Sequence, residues 1–357
     1  MRIGLGIDVS KGQRSIPVPE PREAASVMEA MIGEGVLAEK AGFHSVRCPD
    51  RHGRTEVYLP GALQLLTVLA RETHRVALGA FVLPNTLYHP MLLAEQCATI
   101  DNLSRGRLFM GFARGKDYWG YFGIPEERRL GRFLENLKVI EHAYEGKRFS
   151  FHGDFYDVED ALLTPQPYQQ PRFPFWGGGV APAAIERCGT FSEAWAADDF
   201  PLDLPRWRQW AEAYRGAAEA RGKQPFVVLM RNGWVADDYD SAIAEYGQWY
   251  IEHLRVVGAL GRLAAYPTLD TPDKITPETI REHLIIGTAT DCIEKIEYYK
   301  EELGIDYITL RFRFPEGPSF EAVRDQIVRF GEDVVAPIHR KYPAPLEHPA
   351  IPAGARW

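Results

Sequence analysis

The 357-residue chain is 45% hydrophobic and 25% charged, and its 41 Lys and Arg against 49 Asp and Glu leave a formal charge of −8. These are the proportions of an ordinary globular protein, so disordered, coiled-coil and collagen-like chains are excluded. No apolar stretch reaches the roughly 18 residues that a membrane-spanning helix needs, and without a basic run nucleic acid is not an expected partner.

In chain order, MRIGLGIDVSKG enters a strand over 3–8 with no charged segment and cleavage site, so a cytoplasmic protein is expected. A helix over 24–41 carries Val27, Met31, Leu37 and Ala38 and stops at Gly42. A strand over 43–48 and a helix over 63–71 follow. Residues 76–83 form an eight-residue apolar run ended by Pro84, which suits a strand buried on both faces. The helix over 91–103 places Leu92, Leu93, Gln96, Thr99, Ile100 and Leu103 three and four apart, a stripe expected to face the core. Asn102, Ser104 and Gly106 close it, and an apolar strand restarts at 108–113. Strand, crossover helix and strand make a right-handed parallel unit.

The alternation continues with a helix over 133–144 and a strand over 174–176 that runs into Gly177-Gly178-Gly179. A helix from Pro182, a strand over 194–197, a helix over 204–221 and a strand over 225–235 come next. A helix over 292–303, a strand over 307–312 and a helix over 322–330 complete the series. Eight strands alternating with helices predict an α/β fold, a (β/α)8 TIM barrel as one domain over 1–340; an open doubly wound sheet is the alternative. Insertions are expected after strand four, as a β-hairpin over 148–164 turning at His152-Gly153-Asp154, and after strand seven, as a mostly helical lid or wall over 237–285. The Pro-rich tail over 341–357 is expected to be disordered or to lie against a partner subunit.

A TIM barrel carries its chemistry just beyond the C-terminal ends of its strands. After strand two come Asp50, Arg51 and His52; after strand three Asn85, Thr86, Tyr88 and His89; after strand four Arg114, Gly115, Lys116, Asp117, Tyr118 and Trp119. Strand five ends in Gly177-Gly178-Gly179-Val180 with a helix following, which is a plain tight turn or a site where free amides favour an anion, and Arg114 at the end of the neighbouring strand would make that site a good cradle for a phosphate monoester. Trp119, Tyr121 and Phe122 wall an apolar pocket or pack against the body. His89, His142 and Tyr144 read as packing or surface residues. Arg311 and Arg313 share one face of the last strand, where they bind an anionic substrate or end in solvent. The four cysteines, Cys48, Cys97, Cys188 and Cys292, have no metal spacing, so buried thiols and no metal site are expected, with Cys48 at a strand end the one of chemical interest.

At these residues the chain resembles the bacterial luciferase-like flavin-dependent monooxygenase family. The resemblance lies in AGFHSVRCPDRH at 41–52, RVALGAFVLPNTLYHP at 75–90, LAEQCATIDNLSRGRLFMGFARG at 93–115, PFWGGGVAPAA at 174–184 and IIGTATDCIEKI at 285–296. It implies a TIM barrel that takes reduced FMN from a separate NAD(P)H-flavin reductase and oxygenates a small organic substrate with O2 through a C4a-(hydro)peroxide. A homodimer is implied as well. Arg114 and Gly115 then hold the flavin phosphate with the backbone of Gly178, Gly179 and Val180, Asn85 lines the flavin ring, and Gly79-Ala80 carries a non-proline cis peptide beneath it.

The chain departs from the family at Asp50-Arg51-His52, where many members carry Glu-His-His. A guanidinium does not release a proton near neutral pH, so His52 takes the acid/base role or Arg51 stabilises charge. A surface ion pair of Asp50 with Arg51 or His52 is the plain structural reading. A second branch of the family transfers hydride with the deazaflavin F420. That branch tends to carry Gly-Thr-Gly-Glu where this chain has Ala113-Arg114-Gly115-Lys116, which favours FMN. A flavin-binding barrel without turnover is the third reading.

Overall fold

The computed structural model describes all residues except 12–19, 116–119, 199–203, 260, 262, 264–268, 344–346 and 356–357. Among the described residues the strands are β1 (Arg2–Gly6), β2 (Ser45–Cys48), β3 (Ala77–Pro84), β4 (Leu108–Ala113), β5 (Phe149–His152), β6 (Asp157–Ala161), β7 (Phe175–Gly178), β8 (Ala194–Ala197), β9 (Val227–Val235), β10 (Leu284–Gly287) and β11 (Tyr307–Arg311). Eight of them, β1, β2, β3, β4, β7, β8, β9 and β11, pair in parallel and close into a barrel. Each is followed by a helix: Pro21–Lys40, Ala62–Glu72, Pro90–Ser104, Arg129–Ala143, Pro182–Phe191, Leu204–Glu219, Ala289–Leu303 and Phe320–Phe330. Proline opens three of them, at Pro21, Pro90 and Pro182, where a missing N–H costs nothing and the fixed φ suits the first turn.

The hairpin after β4 forms as β5 and β6. The insertion after β9 differs from expectation in ending on a strand: the fully buried run Leu284–Gly287 pairs in parallel with the outer half of β9, Asn232 to Val235. The helix Pro90–Ser104 is also rotated from its expected stripe. Leu92 is 50% and Leu103 37% exposed, while Leu93, Ala94, Cys97, Ala98, Ile100 and Ser104 are buried. Small side chains let this helix lie close to the sheet, so size as well as hydropathy selects the buried face.

Two cores result. The larger lies between the outer face of the barrel and the helices, and Cys48 belongs to it, its thiol pushed far up by burial and aimed at the Ala62 carbonyl. The smaller fills the barrel, where Trp176 stacks on Phe109 with centroids 4.0 Å apart and meets Tyr307 edge-on at 5.8 Å.

The tail, expected to be loose or on a partner, closes the barrel floor instead. Trp176 Nε1 donates to the Ala350 carbonyl at 2.8 Å, Gly354 N donates to Gly106 O at 2.7 Å, and Ala350 is fully buried among the inner aromatic rings. The prolines of the tail suit an irregular segment that needs few backbone partners, and the apolar ends of the strands supply the surface it covers.

Below the barrel, His44 Nδ1 meets Tyr307 Oη at 2.7 Å, and burial, followed by the charges of His339 and Arg2, keeps its imidazole neutral far below the usual histidine range. The unfolded chain binds that proton below its ordinary pKa near 6.5 and the folded chain does not, so stability is full above that pH and falls as pH drops. We expect His44 to contribute a loss of about 1.4 kcal/mol per pH unit between roughly pH 6 and 5. Urea midpoints at pH 7 and 5 check this, and the loss should shrink in His44→Gln.

Candidate functional site

The C-terminal ends of the strands surround a cavity of about 550 Å³, inside the ~300–1,000 Å³ range of cofactor and ligand sites. All eight barrel strands or the loops that follow them reach it, through Asp8, Arg51, Val82, Arg114, Gly178, Asp198, Met230 and Arg311 among others. The helix Gln248–Ala259, from the insertion after β9, adds His253, Val256 and Val257 as a wall. The β5–β6 hairpin contributes nothing to the lining.

One side of the cavity is built for an anion. β7 ends at Gly178, and the helix Pro182–Phe191 begins with Ala181 at its cap, with no side chain accepting from its first amides. Arg114 and Arg187 border the same region, and neither forms an ion pair with a described residue. Partial burial, then the charges of Arg129 and Arg187, lower the proton affinity of Arg114, so these guanidiniums repel one another. A doubly charged group placed there would relieve the repulsion and meet the Ala183 amide, since Pro182 has no N–H and Ala184 N donates to Ala181 O at 2.8 Å. Gly178 keeps the floor flat, because a Cβ on it would approach Val82 Cγ1 to 2.8 Å and Ala113 Cβ to 3.3 Å. Gly115 turns the chain out of β4 at φ +78°.

The residues expected after β2 separate. Asp50 borders the cavity, but its carboxylate is fully engaged: Oδ1 accepts from Ala62 N at 2.9 Å, and Oδ2 accepts from Tyr88 Oη at 3.0 Å and from His52 Nε2 at 2.8 Å. Burial, then Asp50, pushes the Tyr88 phenol far up, so it stays protonated and donates. His52 pairs with Asp50, packs edge-on against Phe122 at 5.1 Å and does not line the cavity. Arg51 does, with Nη1 3.6 Å from Asp8 Oδ1 and 3.3 Å from Ser10 Oγ. The site of departure from the family is therefore a positioning cluster around Asp50 with one arginine entering the cavity. Removing the carboxylate leaves a helix amide and a phenol without their acceptor, so Asp50→Ala should cost about 2–3 kcal/mol in urea unfolding.

Other expected residues stand in different surroundings from those expected. Asn85 is fully buried behind the cavity, its amide donating to Asn136 Oδ1 at 2.9 Å, so it holds the Arg129–Ala143 helix to the end of β3. Gly79 admits the Phe109 ring, which would lie 2.3 Å from a Cβ there, and Ala80 faces the outer core. The non-proline cis peptide stands at Phe81–Val82, where the pairing of β3 with β4 shifts register between Ala80 and Leu83. It is Phe81 and Val82 that border the cavity. Of the aromatic residues after β4, Trp119 lies outside the described residues with Lys116, Asp117 and Tyr118. Tyr121 is 71% exposed and rests on Gly53, and neither Tyr121 nor Phe122 lines the cavity.

Asp8 and Arg47, which were not singled out from the sequence, complete the site with Arg311, which was. Asp8 is fully buried; burial would raise its carboxyl, but Arg51, Arg311 and Arg313 outweigh it and hold it below the usual range. Arg313 itself is spent on the carbonyls of Ser10 and Asp8, both at 2.7 Å, and on Glu34 at 3.4 Å, leaving Arg311 as the arginine of that pair that borders the cavity. Arg47 projects inward from the middle of β2. A charged residue in the centre of a predicted buried strand was the signal that could have marked it.

Among the described residues no cluster of His, Cys, Asp or Glu could hold a metal ion, and no helix is long and apolar enough to cross a membrane. Comparison with known proteins agrees with the barrel. The oxygenase component of flavin-dependent trigonelline monooxygenase from Acinetobacter baylyi is 24% identical over 345 residues, 89% of this chain and 92% of that one. The F420-dependent glucose-6-phosphate dehydrogenase of Microbacterium testaceum is 32% identical over 174 residues, 46% of this chain and 51% of that protein. The oxygenating constituent of 3,6-diketocamphane monooxygenase from Pseudomonas putida, solved with FMN, superposes with a TM-score of 0.75 at 17% identity, covering 94% and 98% of the two chains. The luciferase-like monooxygenase model matches residues 15–307, and the chain therefore belongs to the luciferase-like monooxygenase family.

Proposed function

We propose that this chain is the oxygenase component of a two-component monooxygenase, which takes reduced FMN from a separate NAD(P)H-flavin reductase and transfers one atom of O2 to a small organic substrate. The observation that carries the reading is the anion cradle, in which Arg114 and Arg187, without carboxylate partners among the described residues, face the uncapped helix start after Gly178-Gly179-Val180. FMN fits this site: its phosphate would be held by Arg114, Arg187 and the Ala183 amide, and its ring would meet the flat floor of Val82, Ala113 and Gly178. When bound, reduced flavin supplies the electrons that activate O2.

The chain's own residues have two tasks. Phe81, Met230, Leu130, Phe133, Val256 and Val257 wall the cavity with apolar surface and keep water from the reacting atoms. Glu316 at the rim is the carboxyl suited to hold a proton, because burial, then the charges of Asp8, Glu252 and Glu56, raise it, and its Oε2 has no hydrogen-bond partner.

An F420-dependent hydride transfer is the second reading, supported by a relative named for that cofactor that matches 46% of this chain. Anaerobic titration with reduced FMN and with F420, followed by fluorescence, separates the two. Binding of reduced FMN, with slowed release of hydrogen peroxide once air is admitted, is the expected result. Tight F420 binding without FMN binding would overturn it, and FMN binding with peroxide release as fast as from free flavin would reduce the chain to a flavin carrier.

A further inference from the structure

Opposite the phosphate cradle, one layer of the barrel interior is cationic. The strand register sets Arg47 of β2 beside Gly6 of β1, Gly6 beside Arg311 of β11, and Arg311 beside Asn232 of β9. The two arginines thus stand two strands apart, about 10 Å at the usual strand spacing, and both border the cavity. Gly6 is what makes the layer possible, since a Cβ there would lie 2.5 Å from Arg47 Cζ.

Arg47 is only 4% exposed. Its Nε donates to Thr309 Oγ1 at 2.9 Å, and its guanidinium lies 4.8 Å from the centre of the Phe81 ring. Its Nη2 is buried with no hydrogen-bond partner, and Arg47 forms no ion pair with any described residue. Of the carboxylates whose charge acts on Arg47, Asp8 lies beside Arg51, and Asp198 borders the same cavity, where its charge favours the Arg47 cation. Burial, then the charge of Arg311, lowers the Arg47 proton affinity to about 10, which leaves it a cation at neutral pH. A buried guanidinium with an unsatisfied nitrogen is expensive to keep, and removing it would be the cheaper solution for folding alone. Its retention in a cavity wall points to an anion that arrives with the ligand.

We propose that Arg47, with Arg311 beside it, forms a carboxylate-binding subsite, so that the substrate is a small organic acid whose apolar body lies along Phe81 and Met230. A planar carboxylate matches the planar fork of a guanidinium through two parallel hydrogen bonds. The Phe81 ring over that guanidinium leaves a flat slot beside it. The inference rests on the reading that the Arg114 side of the same cavity takes the flavin, because only then is the Arg47 side left for the substrate.

Calorimetric titration of the full chain with benzoate and with its neutral isostere benzamide tests it, with reduced FMN titrated in parallel under nitrogen. Benzoate is expected to bind at least tenfold more tightly than benzamide. Arg47→Gln should abolish that preference, Arg47→Lys should restore part of it, and reduced FMN should bind both variants as it binds the wild type. Equal binding of benzoate and benzamide, or an unchanged preference in a folded Arg47→Gln protein, overturns the proposal. Loss of FMN binding in both variants also overturns it, since Arg47 would then serve the cofactor. If the wild type binds benzoate through Arg47 but no FMN, the subsite stands and the cofactor reading falls.

Discussion

Arg114→Ala is expected to weaken reduced FMN binding by about ten- to a hundredfold. A hydrogen bond to a charged group contributes roughly 1.5–3 kcal/mol, and each 1.4 kcal/mol is a factor of ten in affinity. Arg114 stands at the end of β4, its carbonyl held by the Thr86 hydroxyl at 3.2 Å, so the side chain starts from a fixed point. Its neighbours in charge are Arg129 and Arg187, and Arg129 is paired with Glu126 at 2.6 Å, which leaves Arg187 to share the phosphate. Arg187→Ala should therefore weaken binding by a smaller factor, and the double variant by less than the product, because removing one cation also relieves repulsion at the other. Anaerobic fluorescence titration at two salt concentrations checks both points, since the wild-type affinity should fall with ionic strength and that of the double variant should fall less. Unchanged affinity in Arg114→Ala would remove the cradle from the account.

The largest effect on stability is expected at Trp176. Its ring is 1% exposed, stacked on Phe109, edge-on to Phe81 and Tyr307, and hydrogen-bonded to the tail through Ala350. Trp176→Ala removes the central filling of the barrel and the anchor of the tail together, so a loss of about 3–5 kcal/mol is expected. Trp176→Phe keeps most of the ring contacts and loses the indole donor, and should cost about 1–2 kcal/mol less than that. Urea unfolding followed by circular dichroism measures both. Deleting residues 347–357 should give a smaller loss than Trp176→Ala, because the tail covers the lower rings without filling the space between them. A tail deletion as damaging as Trp176→Ala would mean that the floor carries more of the barrel than its contacts indicate.

Much of this architecture was legible in the order of residues. The apolar runs at Ala77–Pro84 and Leu108–Ala113 are unbroken, as strands covered on both faces must be, and Val227–Val235 is interrupted only at Arg231-Asn232. Proline before a helix and glycine after one set the boundaries, so the eight-fold alternation could be counted. Less was legible where the pattern is short. Leu284–Gly287 is a four-residue strand inside an insertion, and nothing local separates it from a buried turn of helix. The helix Pro90–Ser104 shows the limit of hydropathy, since Ala94, Cys97, Ala98 and Ser104, which are small enough for close approach, share its buried face with Leu93 and Ile100, while Leu92 and Leu103 face outward.

The same division runs through the site. The sequence by itself determined the fold class and the placing of Arg114 and the glycine run at the strand ends, because both lie directly after strands that periodicity reveals. Only the tertiary structure decided that Asp50 and His52 form a positioning cluster, that Asn85 and Gly79 serve packing, and that Arg47 and Arg311 meet across Gly6 in one layer. The reason is that these roles depend on side chains brought together from far apart in the chain, and on the closing of the barrel, which sets strand register. Local sequence fixes what each segment becomes, and packing between segments fixes which of its residues face the ligand.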